Sequence, residues 1–212
     1  RIAIQSSIEN DFSSGIHYHA TGTGKSWVAM YLLQQFHQKN PQANVVWICE
    51  RKNILTHQFS NSIVEERGFQ KILDCYRLVE LVETKNSTWP DTLNSAKFWG
   101  KPFLCVINRS YLTSRKKYQE IQVSLDLIIH DECHSIENKT TQEFYKWLDE
   151  HQQKLGKLKR VIGFSATPEI ISPLDKIITK YSIYDAFQDK VILPPKILWL
   201  KGEKEIKLEH LI

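Results

Sequence analysis

The chain has 212 residues, of which 42% are hydrophobic, 11% aromatic and 25% charged, with only 7 prolines and 8 glycines. That composition excludes a disordered or fibrous chain and suits one α/β domain, or one domain and the start of a second. The net charge of +4, from 28 basic and 24 acidic side chains, is too small to point to a nucleic acid by itself.

No apolar run approaches the ~18–20 residues of a membrane span, and no signal-peptide pattern opens the chain. The first residue is Arg1 rather than methionine, so a fragment of a longer protein is expected. Cys49, Cys75, Cys105 and Cys133 are widely spaced, with no CxxC. Two of them sit inside apolar runs and a third follows one, the pattern of reduced core thiols in an intracellular protein.

In chain order, the apolar runs predict strands at Ile16–His19, Val45–Cys49, Phe103–Ile107, Leu125–His130 and Arg160–Phe164. Several are continuously apolar rather than alternating, as central strands covered on both faces require. Helical segments are predicted at Lys25–Lys39, Asn53–Glu66 and Thr140–Leu155. Alternating β and α units argue for a doubly wound, mostly parallel α/β sheet, whose chemistry gathers just after the strands. Pro194-Pro195 interrupts the pattern, dividing a domain at 1–193 from a linker, or the start of a second domain, at 194–212.

The first predicted strand leads into His19-Ala20-Thr21-Gly22-Thr23-Gly24-Lys25-Ser26 and then a helix. Glycines let successive backbone N–H groups point at phosphate oxygens, and the helix N-terminus adds its positive dipole end. Lys25 has the reach for the β- and γ-phosphates of ATP, and the Ser26 hydroxyl suits Mg²⁺. The strict phosphate-loop pattern wants glycine where this chain has His19. The fourth predicted strand delivers His130-Asp131-Glu132-Cys133-His134. An aspartate there can hold Mg²⁺ through water, and the glutamate beside it can deprotonate the water that attacks a γ-phosphate. Zinc held by His130, Cys133 and His134 is the competing reading, but no second Cys/His pair closes a tetrahedron.

Ala20–Ser26 resembles motif I of the superfamily 2 helicases and translocases, whose members often lack the leading glycine. Asp131-Glu132-Cys133-His134 is a DExH box, similar to their motif II, and Ser165-Ala166-Thr167-Pro168 is similar to their motif III. The three occur in order, each after a predicted strand. Glu50-Arg51-Lys52-Asn53-Ile54-Leu55 with Gln58 resembles motif Ia, and Asn108-Arg109-Ser110-Tyr111-Leu112 resembles motif Ib. Ala3-Ile4 and Ile8 resemble the helix before motif I. The stretch from Tyr184 to Pro195 resembles the exit from the first domain of restriction-type DNA translocases.

The resemblance implies the first, ATP-binding RecA-like domain of a P-loop motor. It implies that His19–Ser26 surrounds the phosphates, with Lys25 and Glu132 catalytic and Ser26 and Asp131 on Mg²⁺. His134, Ser165, Ala166 and Thr167 would couple nucleotide state to grip on nucleic acid, although turn and cap chemistry before Pro168 also accounts for Ser165 and Thr167. Arg51, Lys52, Asn108, Arg109 and Ser110 would touch a sugar-phosphate backbone, although exposed charge after a strand is equally ordinary. DNA is favoured over RNA as partner, because motif Ia and the domain exit look restriction-type. A second RecA-like domain of the same parent chain is the other expected partner, and no membrane is. Family members draw arginine fingers from that second domain, worth on the order of 10³–10⁵ in rate, so these residues alone are expected to hydrolyse ATP very slowly. The rival readings are a double-strand DNA translocase of a restriction enzyme and a nucleotide-responsive binding module with little turnover.

Overall fold

The computed structural model describes residues 2–50, 68–81 and 88–193. The helix predicted at Asn53–Glu66 and the segment from Pro194 onward lie outside them. The described elements are α1 (Ile2–Glu9), β1 (Gly15–His19), α2 (Lys25–Lys39), β2 (Val45–Cys49), α3 (Gln70–Leu73) and β3 (Arg77–Leu81). They continue as α4 (Trp89–Asn94), β4 (Phe103–Asn108), α5 (Arg109–Thr113), β5 (Leu127–Asp131), α6 (Lys139–Lys154), β6 (Val161–Ser165), β7 (Ile177–Tyr181) and α7 (Ile183–Gln188).

Seven strands form one sheet in the order β3-β4-β2-β5-β6-β1-β7, and every neighbouring pair is parallel. Parallel strands must be buried on both faces, and the sequence of β2 shows how. Val45, Trp47 and Cys49 enter a core with Leu33 and Phe36 of α2. Val46 and Ile48 enter a second core with Phe144 and Leu148 of α6 on the opposite face. A strand serving two cores has little room for polar residues, hence the largely apolar runs. The fold is the doubly wound, RecA-like α/β sheet that the sequence predicts.

Both edge strands escape the sequence reading. In β3 only Val79 and Leu81 are buried, while Arg77, Leu78 and Glu80 are exposed. In β7 no residue is fully buried. Each pairs on one side only, so neither needs an apolar run. The fourth predicted strand also starts too early. Leu125 exchanges two hydrogen bonds with the Gln152 side chain of α6, and the Asp126 carboxylate accepts from Asn44 N–H. Those bonds occupy the backbone outside the sheet, so pairing begins at Leu127.

Amphipathic spacing makes α6. Thr141, Phe144, Tyr145, Leu148 and Gln152 form its buried stripe. Cys49, Cys105 and Cys133 are buried and Cys75 is half-covered, and none of the four is in a disulfide. Trp89 is core, while Trp99 lies partly buried under the Arg77 guanidinium, 4.4 Å from its ring centroid. No described helix is long and apolar enough to cross a membrane.

Gly163 of β6 is a place where only hydrogen fits. A Cβ there would lie 2.6 Å from Leu174 Cδ1 and 2.7 Å from Cys133 Sγ. Gly163 pairs with His130, so the residue after the acidic pair packs onto a glycine of the next strand. Gly163→Ala is expected to cost about 1–3 kcal/mol through overpacking and to lower the melting temperature by about 2–10 °C, read by thermal denaturation.

Candidate functional site

In an all-parallel sheet every strand ends on the same rim. Here that rim gathers the loop after β1, Glu50 after β2, Asn108–Ser110 after β4, Asp131-Glu132 after β5 and Ser165–Thr167 after β6.

The loop between β1 and α2 is built on two glycines in the left-handed region, Gly22 at φ 78° and Gly24 at φ 79°. Residues with a Cβ populate that region at a cost, so the path belongs to glycine. Thr23 closes the loop with its hydroxyl on Ala20 O at 2.7 Å. Gly24 O then accepts from Trp27 and Val28 N–H, and α2 begins at Lys25 with its first amides turned to the rim.

Across the loop, Asp131 ends β5 with 4% exposure and accepts Glu132 N–H at 3.1 Å. Glu132 takes φ 51°, ψ 52°, a left-handed conformation that a residue with a Cβ adopts only when the surroundings hold it there. Its carboxylate lies 3.2 Å from Lys25 Nζ, and Lys25 is itself only 7% exposed. The two halves of the sequence signature therefore meet. His134 Nδ1 stands 3.7 Å from the other Glu132 oxygen, on an exposed ring.

His19 opens the loop, but its ring faces away from it, with Nε2 2.9 Å from Thr179 Oγ1 of β7. The same hydroxyl meets His17 Nδ1 at 2.7 Å, and His17 Nε2 meets Ser7 Oγ at 2.9 Å. Burial, helped by the neighbouring His19, pushes the His17 pKa down to about 3. Burial, then the Lys25 ammonium, lowers His19 to about 4.

The remaining predicted residues divide. Ser165 is buried, and its hydroxyl accepts Thr167 N–H at 3.1 Å, a local turn; Thr167 is exposed and Ala166 half-buried. Asn108 caps α5 by accepting Ser110 N–H at 3.0 Å and donates to Glu50 O at 2.8 Å. Ser110 is exposed. Arg109 turns inward, its Nε on the Glu50 carboxylate at 2.5 Å. Arg51 and Lys52 lie outside the described residues. The basic runs at 115–117 and 154–160 are solvated faces with acidic partners, such as Lys116 with Glu143 and Lys159 with Asp149.

The chemistry of the donors fits a nucleotide with a hard cation. Two adjacent carboxylates and a hydroxyl at a helix start are oxygen ligands of the kind magnesium takes, with phosphate and water completing the shell. Among the described residues no group of three His, Cys, Asp or Glu could hold an ion alone. The zinc reading falls here. His130, Cys133 and His134 form no group that could hold an ion, and His130 Nδ1 is instead bonded to Tyr145 OH at 2.6 Å.

Sequence reasoning missed Glu50. Its carboxylate receives Arg109 and the Ser135 hydroxyl and lies 4.0 Å from His130 Nε2. Burial alone would raise its pKa, but these hydrogen bonds outweigh it and hold the acid at about 2. Its position after a buried strand, at the head of the segment that resembles motif Ia, was the signal available.

A RecA-like sheet with a glycine-built phosphate loop facing an acidic pair suits an ATP-binding domain, and a family match over residues 2–170 makes it a helicase-like domain of the superfamily 2 type. The matching family model is described as type III restriction enzyme, res subunit, and the chain belongs to that family. No curated protein matches the chain.

The histidines give the domain an acid-sensitive stability. His17 and His19 stay neutral when folded but take protons near the ordinary pKa of 6.5 when unfolded. Between those limits the unfolded chain binds more protons, so stability falls as the pH drops from 6.5 toward 4. The full loss is about 1.4 kcal/mol per unit of depression of each group. Chemical denaturation at pH 7.5, 6.5, 5.5 and 4.5 is expected to show that decline, with a shallower slope for His17→Asn.

Proposed function

We propose that this chain is the first motor domain of a DNA-directed superfamily 2 enzyme, coupling ATP hydrolysis to translocation along, or unwinding of, DNA. The observation that carries the reading is the 3.2 Å approach of Lys25 Nζ to Glu132 Oε1, which puts the phosphate loop and the acidic pair face to face. The DNA preference draws support from the restriction-enzyme family to which the chain belongs. A domain at 1–193 followed by a linker, or by a second RecA-like domain from 194 on, is part of the same proposal.

In this mechanism the amides of residues 19–26 cradle the triphosphate at the start of α2. Lys25 exchanges Glu132 for the β- and γ-phosphate oxygens, so a buried ammonium is never left without an anion. Ser26 and Asp131 hold magnesium, which supplies charge neutralisation to the phosphates when bound. Glu132, freed from Lys25, takes a proton from the water that attacks the γ-phosphorus, as the bond to the leaving ADP oxygen breaks. His134, three residues after Asp131 and beside Glu132, would report that change to the neighbouring loops, with Ser165, Ala166 and Thr167 at the next strand end. Arg51 and Lys52, with the exposed Ser110, would touch the sugar-phosphate backbone, where polar contacts fix position without reading sequence.

Two variants test the assignment. Lys25→Ala should weaken binding of a fluorescent ATP analogue by about 10- to 100-fold, the loss expected for charge-assisted contacts. Glu132→Gln should retain that binding while single-turnover hydrolysis falls by about 10²–10⁴-fold. Hydrolysis unchanged by Glu132→Gln would remove the glutamate from the role of base.

A further inference from the structure

One carboxylate outside the acidic pair joins three strand ends. Glu50 follows β2, and its Oε1 accepts from Arg109 Nε, at the start of α5, and from Ser135 Oγ, in the turn Cys133–Ser135 that follows Glu132. Its backbone oxygen accepts from Asn108 Nδ2 at 2.8 Å. Arg109 extends the connection to α6 through Thr141 Oγ1 at 3.5 Å. Glu50 and Arg109 are each only 17% exposed, so the pair is poorly screened by water.

We infer that Glu50 is a positioning residue that fixes the turn after the acidic pair against the loop carrying Asn108, Arg109 and Ser110, and so couples nucleotide state to the nucleic-acid face. The inference rests on the motor reading above. A shift of Glu132 or His134 moves the turn that ends in Ser135. Ser135 is bonded to Glu50, and Glu50 is bonded to Arg109 directly and to Asn108 through its own backbone. A displacement of the turn therefore reaches the loop after β4 through a single group. The acid stays ionised throughout the physiological range, its hydrogen bonds outweighing burial, so both donors keep a charged acceptor. Arg109 is then spent inside the protein. Its guanidinium serves Glu50, and contact with a phosphate backbone passes to the exposed Ser110.

The test is the ratio of the affinities of a fluorescein-labelled single-stranded oligonucleotide, measured by anisotropy on the full chain with and without Mg·ATP analogue. In the wild-type protein the nucleotide should change that affinity about fivefold or more, the usual scale of coupling between sites. Glu50→Gln should bring the ratio to about one while leaving the analogue's own affinity within about twofold. Ser135→Ala, which removes one arm without burying an unpaired charge, should do the same, and Ser135→Thr, which keeps the hydroxyl, should restore the ratio. A purely structural role would instead lower the melting temperature and leave the ratio intact, and an intact ratio in both Glu50→Gln and Ser135→Ala overturns the inference. A wild-type protein that binds the analogue but shows no coupling overturns it too. Failure of the wild-type protein to bind the analogue at all removes the motor reading, and this inference with it.

Discussion

An ammonium as thoroughly covered as that of Lys25, 7% exposed, has to find an anion, because its transfer out of water is otherwise far too costly. Glu132 meets that demand at 3.2 Å, and much of the surrounding architecture follows from it. The lysine is brought there by α2, which starts where two left-handed glycines release the chain from β1. The glutamate is brought there by β5, separated from β1 only by β6, through a residue held in a conformation that its Cβ disfavours. Gly163 on the intervening strand gives Cys133 room to pack directly behind the acidic pair. The ion pair thus joins the start of α2 to a backbone outlier at the end of β5, with β6 between the two strands.

Much of this arrangement was legible in advance, for identifiable reasons. A parallel strand buried on both faces is mostly apolar, so β2, β4, β5 and β6 announced themselves as runs. The edge strands β3 and β7 face water along one side and carry residues such as Arg77, Glu80, Thr179 and Lys180, so no run exists to find. The short helices α3, α4 and α5, of four to six residues, are too brief to display a period. Phosphate loop and acidic pair were readable because each is contiguous. Glu50 was not, because its three partners come from β4's end and from the turn after β5, 58 to 85 residues away. Spacing along a chain reveals donors after a strand, but it does not reveal which of them already have an acceptor.

Arg109 illustrates that limit. As a basic residue following a buried strand it has the profile of a phosphate contact, and its sequence neighbours resemble motif Ib. In the folded chain its Nε lies on Glu50, and Asn108 beside it is committed to capping α5 and to Glu50 O. The rim of the sheet is therefore two systems placed side by side. One centres on Lys25 and Glu132, the other on Glu50, and the short turn containing His134 and Ser135 belongs to both.

The ring of His19, turned from the phosphate loop to Thr179, has a consequence in hydrogen placement. A hydroxyl owns a single hydrogen, yet Thr179 Oγ1 sits between two imidazole nitrogens, so at least one ring must offer it an N–H. If neutral His17 points its own N–H at Ser7, Thr179 has to spend its hydrogen on His17, and His19 must then donate. The tautomer at the mouth of the loop is in this way tied to the orientation of a serine hydroxyl on α1, a connection that runs through protons alone and asks no backbone to move.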